Sequence, residues 1–132
     1  MRTTPNNITE LKDNEVFVFG SNEVGIHGAG AAALAYKKFG AEYLNGVGAM
    51  GKSYAIPTKD KKIETLSIGE IEHYVNQFID HAVNWNDSIF LVTEIGCGLA
   101  GYYPEDIAPL FKEAINIENI YLPERFWNIL KK

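Results

Sequence analysis

Cysteine is scarce in this sequence: Cys97 is the single one among 132 residues, so no disulfide can form within the chain. The chain must hold together through its core alone, and the scarcity fits a reducing compartment. Long apolar runs are also missing. None approaches the ~20 residues that cross a bilayer. Met1–Asn7 lacks the apolar centre of a secretion signal, and the expectation is a cytoplasmic protein with no membrane partner. Positive charge is in deficit, with 12 Lys and Arg against 17 Asp and Glu for a net charge of −5. A surface of that sign is unsuited to neutralising duplex phosphates, which argues against bulk nucleic-acid binding. A single small anion stays open, because backbone amides bind phosphate without net positive charge.

What is present is core material. Apolar residues make up 46% of the chain, including seven Phe and seven Tyr, which suits one domain spanning residues 1–132. Neither a repeat nor a linker interrupts it. Residues 15–20 read as a strand buried on both faces, because β-branched and aromatic residues run without polar alternation. An alanine-rich helix is expected over about 29–39, closed by Gly40 as a left-handed cap. Residues 41–52 read as a glycine-rich loop and Ser53–Pro57 as a short strand. Ser67 and Glu70 have capping-box spacing, and the helix they open carries Ile68, Ile71, Val75, Phe78, Ile79 and Ala82 on one face. Ser88–Ile95 is a second buried strand. A helix over about 104–116 follows, with Pro104 at its first position and Glu105 and Asp106 in its first turn. A strand at 118–122 and a helix at 124–131 complete the chain. This alternation implies an α/β fold with a mixed, mainly parallel sheet and helices on both faces, a three-layer α/β/α sandwich.

Ten of the twelve glycines fall in three loops: Gly20, Gly25, Gly28 and Gly30; Gly46, Gly48 and Gly51; Gly96, Gly98 and Gly101. Two of these loops follow the strongest strands, where open α/β sheets bind ligands. The third matches G-x-G-x-x-G, but Tyr102, Tyr103 and Pro104 delay the helix that a dinucleotide fold opens inside that motif. An NAD-dependent oxidoreductase is therefore disfavoured. The first loop is the better anion site, since the helix after Gly28, Ala29 and Gly30 has no acidic residue in its first turn.

These segments resemble the macrodomain family. The resemblance lies in Phe17–Asn22 and Gly25–Ala32, a strand ending in asparagine and a glycine-rich loop into a helix, and in Ile95–Tyr102, a second glycine loop ending in an aromatic. It implies ADP-ribose or a related nucleotide as ligand, free or attached to an ADP-ribosylated macromolecule, with no required cofactor and no metal. By the resemblance, the binding residues are Gly20, Ser21, Asn22, Gly25, His27, Gly28, Ala29 and Gly30 in the first loop. Gly96, Cys97, Gly98, Leu99, Ala100, Gly101 and Tyr102 serve in the third, Asn7 and Ile8 sit near adenine, and Phe126 stacks on it. Asn7 stands where the family carries aspartate. Ile95–Leu99 is nearest to the class that removes terminal ADP-ribose from acidic side chains, and Lys59 matches that class's lysine. Its aspartate, however, is replaced by Ala100, which removes the group that would handle protons beside the lysine. Binding is expected to outlast that hydrolysis; if the chain is an enzyme, it is an ADP-ribosyl hydrolase.

Each polar candidate has an alternative role. Asn22 either meets the outer ribose or caps a turn. His27 is either an acid–base group or a loop histidine bonded to backbone. Glu94 and Glu23 are candidate bases or plain surface carboxylates. Cys97 is more naturally a small loop residue, since a cysteine phosphatase needs an arginine where Tyr103 stands. His73 and His81, ~12 Å apart along a helix, cannot share one zinc ion, and both are expected on the polar face of that helix. The rival to a nucleotide-binding module is a non-catalytic interaction domain with a vestigial cleft.

Overall fold

In the computed structural model, which describes residues 2–131, five strands form one sheet. Strands β1 (Glu15–Asn22), β2 (Gly48–Met50), β3 (Ser53–Lys59), β4 (Ile89–Val92) and β5 (Ile120–Tyr121) take the order β2-β3-β1-β4-β5. β1 is parallel to β3 and β4, β4 is parallel to β5, and only β2 runs antiparallel. The helices are α1 (Gly30–Lys38), α2 (Ile68–Asn84), α3 (Pro104–Ile107) and α4 (Glu124–Leu130), with a 3-10 segment at Ala108–Asn116. None is long and apolar enough to cross a membrane.

Alternation along the strands feeds two separate cores. Phe17, Phe19 and Ala55 pack with Ala32 and Ala35 of α1, small helix residues that let large sheet side chains fill the gap. Val18, Tyr54, Ile56, Phe90 and Val92 join Ile71, Val75, Phe78 and Ile79 of α2, together with Phe111 and Phe126. Each large side chain so buried contributes roughly 1.5–3 kcal/mol. The capping box forms as spacing predicts: the Glu70 N–H donates to Ser67 Oγ at 3.2 Å and the Ser67 N–H to Glu70 Oε1 at 3.1 Å. Gly40 closes α1 at φ +82°.

Three expectations need correction. The loop expected at 41–52 contains β2, whose Gly-Ala-Met sequence has almost no strand preference and which forms by pairing with β3. The helix expected over about 104–116 is α-helical only to Ile107. Pro109 has no N–H to give to Glu105, and Phe111 leaves helical geometry at φ −99°, ψ 15°. Ala108, Phe111 and Ala114, all buried, recur every third residue, the 3-10 period. His81 leaves the polar face of α2. Its half-buried ring packs 5.0 Å from Tyr54 and 5.8 Å from Trp85, and burial holds its pKa below the ordinary histidine value.

The far end of the sheet is tied by the N-terminal segment. The Arg2 guanidinium donates to the carbonyls of Ile115 (2.5 Å), Ile120 (2.7 Å) and Ile117 and lies over the Trp127 ring. The Trp127 indole N–H returns a bond to the Arg2 carbonyl at 2.8 Å.

Candidate functional site

The chain leaves β1 for β3 on one side, then crosses to β4 on the other. The carboxyl end of β1 is thus a topological switch point, where open α/β sheets form a crevice. A cavity of about 570 Å³ lies there. Its wall brings together the first loop (Gly20, Ser21, Asn22, Ile26, Gly28, Ala29, Gly30), the end of β3 (Thr58, Lys59) and the third loop (Thr93 to Gly96, Gly98, Leu99, Ala100). A volume of this size suits a ligand of nucleotide dimensions.

The largely apolar wall also carries main-chain donors. α1 begins without a side-chain cap and without an acidic residue in its first turn. The N–H groups of Gly28, Ala29, Gly98, Leu99 and Ala100 are taken up by no hydrogen bond among the described residues. A Cβ added at Gly28 or Gly98 would meet nothing within 4 Å, and neither has a positive φ. The fold itself does not require glycine at these two wall positions. The start of α3 contrasts with this, since Asp106 already accepts the Tyr103 N–H at 3.0 Å.

A shift in the β1–β3 register between Ser21 and Asn22 sets Asn22 opposite Lys59. The Asn22 side chain is turned into its own loop: Oδ1 accepts the N–H groups of Gly25 (2.8 Å) and Ile26 (3.0 Å), and Nδ2 donates to the Ile26 carbonyl at 2.8 Å. That is the turn-capping role, with one amide hydrogen left over. Ser21 is also committed, its hydroxyl donating to the Gly46 carbonyl at 2.5 Å. The Lys59 ammonium has no ion-pair partner among the described residues.

Glu94 lies in the wall but is held by Arg125 in two bonds of 2.6 Å, which lower its pKa. An ionised carboxylate in such a pair is a weak proton acceptor. Thr93 and Glu94 also border a second hollow of about 410 Å³, otherwise lined by Thr4, Pro5, Asn6, Pro123, Glu124 and Arg125. The Thr4 hydroxyl is buried there without a hydrogen-bond partner among the described residues.

Several expected site residues lie elsewhere. Phe126 is fully buried against Phe111, ring centres 5.8 Å apart, and cannot stack on a ligand. His27 belongs to the α1 side of the sheet, edge-on to Phe19, with Nε2 bonded to the carbonyls of Glu42 (2.8 Å) and Asn45 (3.1 Å). The alternative of a loop histidine bonded to backbone is the one observed, and the acid–base role is withdrawn. Asn7 is exposed and Ile8 packs on the α1-side core, both outside the cavity wall, while Thr4, Pro5 and Asn6 line the smaller hollow. Tyr102 donates to the Leu66 carbonyl at 2.7 Å, and Gly101 turns its loop at φ +89°; neither joins the wall. Cys97 stays outside it as well, and burial pushes its thiol up to about 12, so no thiolate is available. Glu23 accepts the Tyr74 hydroxyl, away from the cavity.

Gly25 lies outside the wall too and is structural. A Cβ there would fall 2.2 Å from the Asn45 nitrogen, and one at Gly46 would fall 1.9 Å from the Asn22 oxygen. The second glycine loop therefore buttresses the first from behind instead of lining the cavity. Sequence reasoning overlooked Thr58, Thr93, Ile63 and Arg125. Arg125 directly follows the last strand with Pro123 and Glu124, and that position past a strand's carboxyl end was the available signal.

No protein-family model and no curated protein matches the chain. A solved structure of a protein of unknown function from Bacteroides thetaiotaomicron is similar to it. The two share 16% identity, with a TM-score of 0.61, over 87% of this chain and 88% of that one. At this identity the likeness establishes a shared α/β fold and nothing about activity.

Proposed function

We propose that the chain is a macrodomain-like module, a three-layer α/β/α sandwich, that binds ADP-ribose or a closely related nucleotide. The observation that carries the reading is the cluster of unpaired N–H groups in two loops that line one cavity. Such donors, with the positive end of α1, stabilise a diphosphate by short charge-assisted bonds. Lys59 adds one cation, and Arg125 neutralises the one carboxylate in the wall. The smaller hollow beyond Glu94 gives the base a place, between Pro123 and the Thr4–Asn6 segment.

Binding is favoured over turnover. Ala100 supplies no acid or base, His27 is buried outside the wall with Nε2 bonded to backbone carbonyls, Glu94 is held by Arg125 and Cys97 is a neutral thiol. Lys59 is the one candidate group left in the wall.

Calorimetry with ADP-ribose, AMP and NAD tests the reading. Micromolar affinity for ADP-ribose, without release of ADP-ribose from modified protein, is the expected result. Gly98→Ala should weaken binding at least tenfold by placing a methyl where the diphosphate approaches the backbone. Its stability should stay within about 0.5–1 kcal/mol of the parent, since the added Cβ meets nothing. Failure of all three nucleotides to bind defeats the proposal. Turnover that disappears in Lys59→Ala would make the chain a hydrolase.

A further inference from the structure

The two edges of the sheet are treated differently among the described residues. At the β5 edge the N-terminal segment adds a parallel bridge, Thr3 to Leu122, and the Thr4 N–H donates to the Leu122 carbonyl at 2.9 Å. At the other edge β2 has no strand beyond it, and no main-chain bond from outside the sheet reaches Gly48, Ala49 or Met50. Gly51 and Lys52 form a two-residue turn, which makes Met50 and Ser53 the closing pair of the β2–β3 hairpin. Antiparallel alternation then turns the N–H and carbonyl of Ala49 away from β3. Proline or charge would blunt such an edge. Tyr43–Gly51 has neither, in a chain of which 22% is charged. Three residues make a short edge, so the flanking side chains decide how firmly it can pair.

Those flanks are apolar. Of the ten large apolar side chains left exposed among the described residues, four lie close by: Tyr36 (52%), Tyr43 (61%), Leu44 (63%) and Val47 (40%). Val47 leads directly into β2. The Glu42 N–H donates to Met50 Sδ at 3.2 Å, which holds the segment carrying Tyr43 and Leu44 alongside the strand. Tyr36 joins them through His27, whose ring lies 6.3 Å from its own and whose Nε2 bonds the Glu42 and Asn45 carbonyls. Leu44 has φ +65°, a left-handed conformation that asparagine or glycine adopts at lower cost. The turn alone does not call for an exposed leucine.

An antiparallel edge strand is its own complement. Two copies related by a two-fold axis at Ala49 exchange the Ala49 N–H and carbonyl with each other, and Gly48 and Ala49 are small enough to let the backbones meet. The strand and its four apolar neighbours offer roughly 500 Å² per copy, so a pair covers about 1,000 Å², the lower bound for a specific interface. A patch rich in tyrosine and free of charge has the composition of an interface core.

We propose that the chain forms a two-fold dimer through β2, which joins two five-stranded sheets into one and packs Tyr36, Tyr43, Leu44 and Val47 of each copy across the axis. The partner for this face is a second copy of the chain.

Sedimentation equilibrium of the full chain tests it. A monomer–dimer equilibrium with a Kd on the order of 10–100 µM is expected from an interface of this size. Ala49→Pro removes the outward N–H where an edge strand tolerates proline, and should raise the Kd about tenfold or more with little change in thermal unfolding. Leu44→Asn should raise it about fivefold while holding or raising the unfolding temperature, since asparagine suits the left-handed backbone. Val83→Ser, on α2 against the opposite face of the sheet, should leave the Kd unchanged. A chain that stays monomeric to about 500 µM overturns the inference and leaves the patch to another protein or a lipid surface. A dimer that neither Ala49→Pro nor Leu44→Asn weakens, or that Val83→Ser weakens as much, overturns it too.

Discussion

Burial sets the chemistry of single side chains here, and Cys97 shows it most directly. Desolvation, helped by Glu94, keeps its thiol protonated well above neutral pH. A thiol raised to about 12 holds a roughly thousand-fold smaller thiolate fraction at pH 8 than one near 9, although its thiolate is intrinsically more nucleophilic. The net expectation is exchange with an aromatic disulfide reagent ~10–100-fold slower in the folded chain than in urea; equal rates would show the thiol to be free. His81 makes the second case. Its neutral form is favoured by burial, so above pH ~6.5 it adds no pH dependence, because folded and unfolded chains are both neutral there. Below that pH the unfolded chain takes up a proton that the folded chain resists, and stability falls until the lowered folded pKa is reached. Urea midpoints measured between pH 7.5 and 5.5 should therefore drop less in His81→Gln than in the parent chain. An identical drop would place the acid sensitivity elsewhere.

Among the elements, the Arg2 anchor is where one side chain holds several segments. Its guanidinium serves three carbonyls, of the 3-10 segment, the residue after it and β5, and lies over Trp127 of α4. Arg2→Met keeps a similar stem and removes the donors, so the loss should be about 1.5–3 kcal/mol by urea unfolding, with altered Trp127 fluorescence. A loss below ~0.5 kcal/mol would mean that the carbonyls are as well served by water. Nothing in the sequence marked Arg2 for this task, because its partners are main-chain atoms more than a hundred residues away. The same limit explains what else was hidden. β1, β4 and α2 were legible because their own side chains carry the pattern, a continuous apolar run or a helical face with a capping box. β2 was hidden because pairing with β3 makes it, and the 3-10 segment because Pro109 and the three-residue spacing of Ala108, Phe111 and Ala114 were subsumed in a helical pattern. For the site, glycine clusters pointed to the two loops that meet, but clustering cannot separate wall from buttress. Gly28 and Gly98 face open space, whereas Gly25 and Gly46 lock against backbone. The aromatic after β5 pointed to Phe126, and only packing shows that Arg125 faces out while Phe126 fills the core.

At the scale of the whole molecule, the proposed function asks an acidic protein to hold an acidic ligand. The chain carries a net −5, so the long-range field repels a diphosphate. Binding then depends on groups that act at hydrogen-bond range, the loop N–H groups and the start of α1. These two contributions respond differently to salt. Screening shortens the reach of the net charge, from about 20 Å near 20 mM salt to below 6 Å near 300 mM, and leaves contacts at about 3 Å almost untouched. Raising NaCl across that range should hold the Kd for ADP-ribose steady or tighten it up to about threefold. A site built on a cluster of Lys and Arg would instead weaken by tenfold or more over the same range, and that result would refute the main-chain account. Lys59→Ala sharpens the comparison. With the one lysine of the wall gone, affinity should fall a few-fold, yet the tightening with salt should become larger, because the net negative charge, and with it the long-range repulsion, grows.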